Sequence, residues 1–186
     1  MLRNLSKIIF FLSIVLLTAC TTNTVSTTPN NRITIVASGD LSTLSKTYAW
    51  HETMFVVHTA NKMDEDVLRK QLISSVNKLM ANKGYQLVSI NDSPQMIVGF
   101  GMALESEMSD TEILAKVGLV PGLYTQDVNG NYEKGSVLIA FFNPRVNLPF
   151  WRVLAQGFTE PDRILEEREA RFDALITMML NDIPQA

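Results

Sequence analysis

The amino-acid sequence predicts an α+β domain in which a mostly antiparallel sheet packs one of its faces against two helices. Three observations indicate this fold class: short β-branched or alternating runs recur along the chain, two amphipathic helical patterns separate them, and turn residues bound both. The chain has 186 residues, of which 46% are hydrophobic and 19% are charged. These values are typical of a single globular domain, which we place at residues 32–186 because no internal repeat occurs.

Two helices are predicted. The first spans residues 62–83, where apolar residues recur at steps of three and four, acidic residues begin the pattern, and Gly84 ends it. The last begins at residues 159–162, with Pro161 in its first turn. The apolar stripe of the first helix is Leu68, Leu72, Val76, Leu79 and Met80, and that of the last is Leu165, Phe172, Ile176, Met179 and Ile183.

The remaining patterns predict six strands, at residues 33–37, 47–50, 85–90, 95–104, 137–142 and 150–156. Residues 137–142 are apolar on both faces, as in a central strand, and residues 150–156 follow as their antiparallel partner. Gly99 and Gly101 are two residues apart, so they share a face of the sheet, where we expect another backbone to come close.

The first twenty residues are predicted to be a targeting segment. Arg3 and Lys7 provide positive charge, and residues 8–17 form an apolar run that only Ser13 interrupts. As a helix, this run would measure ~15 Å, about half of the hydrocarbon thickness of a bilayer, and is too short to span it stably. We therefore assign residues 1–19 to a cleaved signal peptide.

The residues after this run predict a lipid anchor. Leu17-Thr18-Ala19-Cys20 resembles the lipobox of bacterial lipoproteins, and Cys20 is the only cysteine, so it cannot form an intramolecular disulfide. Only a thiol can form the thioether to diacylglycerol, and two or three acyl chains together hold a protein stably on a membrane. We predict that Cys20 is lipidated; the alternative is an ordinary secretory signal followed by an unrelated cysteine.

The mature chain is expected at the periplasmic face of the outer membrane. The enterobacterial sorting rule retains a lipoprotein in the inner membrane when aspartate follows the cysteine, and here Thr21 follows it. Residues 20–31 lack periodicity and are predicted to form a flexible tether, with a root-mean-square end-to-end distance of ~18 Å. Without residues 1–19 the chain has 14 basic and 19 acidic residues, a net charge of −5, so we expect no nucleic-acid partner.

Several short motifs occur in a set order along the domain. Residues 47–50 (TYAW), 82–85 (NKGY) and 95–98 (QMIV) mark the first half. Residues 135–139 (GSVLI), 150–152 (FWR) and a Glu-rich helix that ends near Pro184 mark the second. In this order the chain resembles the uncharacterised lipoprotein family called domain of unknown function 4136, over residues 33–184. The resemblance implies the fold and an envelope location, and it brings no established activity.

Two positions depart from the pattern of that family. The family often has Ala-Asp where this chain has Pro94-Gln95, and Asp where this chain has Asn143. Any role that those carboxylates have in the family is not expected here.

No combination of residues predicts catalysis, a cofactor or a metal site, and we expect no enzymatic activity. His51 and His58 are seven residues apart, so they would face opposite sides of one regular strand. The acidic residues Glu105, Glu107, Asp110 and Glu112 lack the glycine-centred loop of an EF-hand and are interpreted as a solvated loop. The aromatic residues Trp50, Phe141, Phe142, Phe150 and Trp151 are interpreted as core rather than as the lining of a pocket.

Residues 106–134 form a long connection that is too apolar for plain disorder. We expect a helical turn followed by a hairpin at Asn129-Gly130. The segment either covers the sheet, which is the simpler interpretation, or offers a surface to a partner. That surface would contain Leu119, Val120, Leu123 and Tyr124.

The sequence leaves three functional hypotheses. The first is a membrane-tethered, non-enzymatic module that binds an envelope protein or component. The second is a carrier of a small apolar ligand such as a lipid, and the third is an enzyme. The sequence predicts neither the partner nor the oligomeric state.

Overall fold

The computed structural model describes residues 32–58, 64–126, 128, 132–146, 148–159 and 165–186. The predicted signal peptide, Cys20 and the tether lie outside these residues, as do the Asn129-Gly130 turn and Pro161. The elements in chain order are β1 (Ile33–Gly39), β2 (Thr47–His58), α1 (Glu65–Asn82), β3 (Gln86–Leu87), β4 (Met96–Leu104), α2 (Asp110–Val117), β5 (Glu133–Phe142), β6 (Pro149–Thr159) and α3 (Leu165–Met179).

Six strands form one sheet in the order β1-β6-β5-β4-β2-β3. Antiparallel pairing joins β1, β6, β5 and β4, whereas β4 pairs with β2 and β2 with β3 in parallel. A parallel pair needs a long crossover, and α1 lies in the connection from β2 to β4. The predicted α+β class, the mostly antiparallel sheet and the pairing of β5 with β6 are confirmed.

The residues around α1 explain where this helix begins and ends. The Asp64 carboxylate accepts hydrogen bonds from the backbone N–H groups of Asp66 (2.9 Å) and Val67 (3.2 Å), so Asp64 is the N-cap. After the helix, Gly84 has a φ of 90° and adopts the left-handed conformation that commonly follows a helix end. The first predicted helix is thus confirmed over Glu65–Asn82.

The helices α1 and α3 pack beside each other on one face of the sheet, called here the helix face. Asp173 of α3 accepts hydrogen bonds from Ser75 Oγ (2.6 Å) and Lys78 Nζ (2.8 Å) of α1. These hydrogen bonds, with that from Lys78 the larger influence, hold the pKa of the Asp173 carboxyl below its usual range. The ionised carboxylate therefore joins the two helices.

The helix face buries the main hydrophobic core. Alternate residues of the central strands point into it, as Val137, Ile139 and Phe141 of β5 do. Most members of the two predicted stripes supply the other side of this core, and Leu79 and Phe172 pack at its border. Those that are at most 3% exposed are Leu68, Leu72, Val76, Met80, Ile176, Met179 and Ile183.

A third helix, α2, corrects the prediction of two helices on one face. Leu138 and Leu154 alternate with residues of the main core, and they belong to a second apolar cluster with Ile113 of α2 and Leu119 after it. The helix α2 therefore covers part of the opposite face of the sheet, called here the second face. A capping box, Ser-x-x-Glu at residues 109–112, begins this helix, and the sequence interpretation of a mere helical turn overlooked it.

Most strands differ in length from the prediction, and β2 and β3 differ for reasons that the structure shows. The strand β2 continues past Trp50 to His58, because its backbone pairs with β4 inside the sheet although its residues do not alternate regularly. The strand predicted at residues 85–90 is limited to Gln86–Leu87. There the side chain of Ser89 accepts a hydrogen bond from Asn91 N (3.2 Å) and caps a 3₁₀ turn instead.

Candidate functional site

The second face carries an apolar groove of about 330 Å³ between β2 and α2. The strands β4 and β5 form its floor, Val56 and His58 of β2 border one side, and Ile113 and Lys116 of α2 border the other. Ligand sites are typically ~300–1,000 Å³ in volume and are lined by apolar side chains with few polar groups. The groove meets this description, and we treat it as the candidate functional site.

Small residues keep the floor of the groove low. Gly99, Gly101 and Ala103 of β4 face it, together with Ser136 and Ala140 of β5. Phe100 and Met102 of β4, which alternate with these small residues, belong to the main core on the opposite face. The prediction that the two glycines share one face is therefore confirmed.

The expected close backbone approach is not found at Gly101. A Cβ atom placed on this residue would lie 3.8 Å from the Val56 carbonyl oxygen and 3.9 Å from Leu138 Cβ. Both distances are ordinary van der Waals contacts, so packing would tolerate a methyl group at this position. The glycine keeps space open instead.

A buried cation helps to hold α2 over the second face. Lys134 of β5 is 5% exposed, and its Nζ atom lies 2.8 Å from Glu105 Oε1 and 3.0 Å from Asp110 Oδ2. Burial alone would lower the pKa of Lys134, but the hydrogen bonds and charges of these two carboxylates outweigh it and raise the pKa above the usual 10.5. The ammonium therefore ties the first residue of α2 to the sheet.

Gln156 of β6 is fully buried on the same face. Its Oε1 atom accepts a hydrogen bond from Leu123 N (3.0 Å), and its Nε2 atom donates to Asp110 Oδ1 (2.7 Å) and Ser136 Oγ (3.3 Å). One amide thus connects two strands, α2 and the chain that follows α2. Sequence reasoning missed both Gln156 and Lys134, since a single polar residue in an apolar strand does not reveal its distant partners.

The described part of segment 106–134 covers the sheet, as the simpler interpretation predicted. Leu119 is 9% exposed and Leu123 is 6% exposed, so neither side chain is available as a surface contact in this structure. Val120 is half-buried, whereas Tyr124 is 58% exposed. The suggested partner surface is therefore reduced chiefly to Tyr124.

Both histidines lie on the second face, which corrects the expectation that they face opposite sides. The pairing of β2 with β4 is irregular between Trp50 and Phe55, where β2 advances five residues while β4 advances two. The excess is an odd number of residues, so it inverts the alternation of β2. The ring of His51 lies 6.5 Å from that of Phe142, which borders the groove, and His58 borders the groove directly. Sequence spacing alone cannot reveal such an irregularity.

The acidic residues near the end of β4 have separate structural roles. Glu105 and Asp110 contact Lys134, and Glu112 accepts hydrogen bonds from Ser109 as part of the capping box. Within the described ranges, no group of three or more His, Cys, Asp or Glu residues is placed to hold a metal ion. Of the aromatic residues considered above, Trp50, Phe141, Phe150 and Trp151 pack in the main core, and Phe142 borders the groove.

A helix that spans a bilayer needs about 20 predominantly apolar residues. None of the helices in the described residues is both long enough and apolar enough to cross a membrane. Cys20, the predicted site of lipidation, lies outside the described residues.

Comparison with protein families identifies the domain. The family model for a domain of unknown function, DUF4136, matches residues 38–185. The chain belongs to the DUF4136 family. The resemblance noted in the sequence is thereby confirmed over nearly its whole length. No curated protein matches this DUF4136 chain.

Solved structures resemble the DUF4136 domain in fold. A DUF4136 family protein from Bacteroides thetaiotaomicron is 13% identical with a TM-score of 0.50, over 83% of this chain and 98% of that chain. PelC from Paraburkholderia phytofirmans, described as a dodecamer, is 10% identical with a TM-score of 0.47. A variant of that dodecamer is 11% identical with a TM-score of 0.49, and both PelC matches cover 83% of this chain and 99% of theirs. At these identities the similarity concerns the fold alone.

The positions that depart from the DUF4136 pattern lie together in the structure. Pro94, Gln95 and Asn143 line one cavity at the end of the sheet, with His51 beside them. The Asn143 side chain accepts a hydrogen bond from Arg145 N (2.9 Å) and so stabilises the turn after β5. The side-chain amides at this cavity are those of Gln95 and Asn143.

Proposed function

We propose that this DUF4136 protein is a lipid-anchored carrier of the bacterial envelope, which binds a small apolar ligand without transforming it. Acylated Cys20 holds it at the periplasmic face of the outer membrane, and the groove on the second face receives the ligand. The observation that supports the carrier role is the apolar groove over a floor of glycine, alanine and serine.

Two binding roles were open from the sequence, and the geometry favours the carrier. Recognition of a protein partner was attributed to a surface that includes Leu119 and Leu123, and both side chains are buried. The groove, in contrast, offers a concave apolar lining of the size that small ligands occupy. Concave apolar surface removes a ligand from water on several sides, so it binds small molecules more effectively than a flat patch.

The chemistry of the lining supports binding rather than reaction. Aliphatic and aromatic side chains dominate it, and they exclude water without exchanging protons with a ligand. Its hydroxyl at Ser136 accepts a hydrogen bond from Gln156 Nε2 (3.3 Å), which engages it in the structural network. We therefore propose no catalytic residue.

The anchor is tested by replacing Cys20 with serine. Without the thiol, diacylglycerol cannot be attached, and we expect Cys20→Ser to move from the membrane fraction to the soluble periplasmic fraction. Radioactive palmitate should label the wild-type chain and the control Thr21→Ser, and should not label the variant. Continued membrane retention of Cys20→Ser would contradict the anchor.

The outer-membrane location is tested at the next residue. If the enterobacterial sorting rule applies, Thr21→Asp should move the protein to inner-membrane vesicles, whereas Thr21→Ser should stay in the outer membrane. Separation of the vesicles on a density gradient, followed by immunoblotting, measures the distribution. The same distribution for both variants would show that residue 21 does not determine the location.

A further inference from the structure

The floor of the groove is long and narrow. From Gly99 to Ala103 it runs along four residue steps of β4, or ~13 Å at the rise of a β-strand. Leu138, Leu154 and the apolar side of α2 stand on one side of it and Val56 on the other. Such a shape matches a single extended polymethylene chain better than a broad ring system.

One charged side chain borders this apolar space. Among the described residues that line the groove, Lys116 of α2 is the charged one, His58 is the other ionisable one, and there is no carboxylate. Glu112 stands one turn before Lys116, but its carboxylate accepts hydrogen bonds from Ser109 N (2.9 Å) and Oγ (2.8 Å). The hydrogen bonds from Ser109 hold the pKa of Glu112 below its usual range, so its negative charge stays near Lys116, and the border offers one ammonium group rather than a net positive surface.

A lysine in this position can serve both parts of an amphiphile. Lys116 is exposed and lines the groove, so its methylene stem can cover apolar lining while its ammonium stays in water, as lysine side chains commonly do at such borders. An acidic head group at the border would gain a charge-assisted contact with the ammonium. The acyl chain of the same molecule would replace water over the glycine and alanine floor.

The composition of residues 21–31 helps to decide what occupies the groove. Residues 21–31 (TTNTVSTTPNN) are almost entirely polar, so burying them in an apolar groove would cost free energy. From an acylated Cys20 these residues can reach at most ~40 Å when fully extended. The groove would therefore remain close to a bilayer, which is a source of amphiphiles.

We propose that the groove binds a single-chain amphiphile with an anionic head group, the acyl chain lying on the floor of β4 and β5 and the head group against Lys116. This inference rests on the proposed carrier function and names its ligand class. It also assigns a specificity role to Lys116, in addition to its favourable interactions with the helix dipole and with Glu112.

The proposal is tested with two probes that differ in charge alone, dansyl-labelled undecanoic acid and its methyl ester. The protein is the mature chain with Cys20→Ser, because both described apolar clusters lie between residues 36 and 183 and need no anchor. Fluorescence titration should show binding of both probes, with the acid tighter. Lys116→Gln should weaken binding of the acid by about tenfold, as loss of one charge-assisted contact implies, and should leave the ester unchanged. Lys70→Gln, an exposed lysine on α1, is the matched control.

A second series fills the groove without changing charge. Affinity for both probes should fall from wild type to Gly101→Ala to Gly101→Val, because each side chain occupies part of the floor. Gly135→Ala is the control on the neighbouring strand, where an added Cβ would meet Leu104 and Thr159 at 3.8 and 3.9 Å. Circular dichroism should show that all four proteins keep the same fold.

The outcomes distinguish the two levels of the proposal, which are the carrier function and the anionic single-chain ligand. If both probes bind and Gly101→Val weakens both, while Lys116→Gln changes neither, the carrier function stands and the anionic head group is wrong. If neither probe binds the wild-type chain, or Gly101→Val binds as tightly as wild type, both levels are wrong. If light scattering shows a wild-type dimer that Gly101→Val dissociates in the absence of any probe, a second copy occupies the groove and the proposal is overturned.

Discussion

Replacing Phe141 with alanine should lower the free energy of unfolding by ~3–5 kcal/mol, whereas the same change at Phe142 should cost only about 1 kcal/mol. The two residues are neighbours on β5 and point to opposite faces of the sheet. The ring of Phe141 is fully buried and stacks on the rings of Trp151 and Phe150, with centroid distances of 5.3 Å and 6.4 Å. Its removal leaves a cavity in the main core. Phe142 is half-buried at the groove, where solvent can fill the space.

Urea denaturation followed by circular dichroism measures both variants. The slope of the transition should be unchanged, so that the shift in midpoint reports stability alone. Since the two substitutions are chemically identical, any difference between them comes from the face of the sheet. Equal losses, or a larger loss at Phe142, would mean that β5 is paired one residue out of register.

Both long helices could be predicted because their signal is local. The stripe of Leu68, Leu72 and Val76 is complete within three turns, and it predicts a buried helix face whatever the rest of the chain does. The pairing of β5 with β6 is also a local event, since a short turn joins two apolar strands. For such elements, propensity, pattern and tertiary packing agree.

The elements that depend on distant partners could not be predicted in the same way. The second half of β2, from His51 to His58, has no clean alternation, and it forms a strand because β4 satisfies its backbone. The irregularity in this pairing brings both histidines to one face, and the spacing of residues in the sequence does not predict this irregularity. The capping box of Ser109 and Glu112, in contrast, is a local sequence signal that predicts the start of α2.

The groove could be predicted from the sequence only in part. Along β4, small residues at 99, 101 and 103 alternate with large ones at 98, 100 and 102, and this pattern alone indicates one recessed face. What the pattern does not contain is the neighbour on each side. Strand order places β2 at one border, and the network of Lys134 and Gln156 places α2 at the other.

The ion pairs of Lys134 lead to a second prediction about the stability of the fold. We expect Lys134→Met to lower the free energy of unfolding by ~2 kcal/mol, because Glu105 and Asp110 lose their shared cation. The loss stays below that of a fully buried ion pair, since the two carboxylates are 45% and 35% exposed and water can solvate them. Lys78→Met is the matched control. It breaks the Lys78–Asp173 pair, whose side chains are 67% and 42% exposed, and it should cost much less.

The effect of Lys134 should disappear at high pH. Its pKa is raised above 10.5 in the folded protein, so the folded state holds this proton more tightly than the unfolded chain does. The stabilisation is therefore complete below pH 10.5 and is lost as the pH rises through the folded pKa. Burial also raises the pKa of Tyr48, to about 12, but that tyrosine is present in both proteins, so its contribution cancels in the comparison.

Urea melts of wild type and Lys134→Met at pH 7, 9 and 11 measure this effect. The difference in unfolding free energy between the two proteins should be the same at pH 7 and pH 9 and smaller at pH 11. A difference that grows with pH would mean that Lys134 is neutral in the folded state, and that α2 is held over the groove by the hydrogen bonds of Gln156 alone.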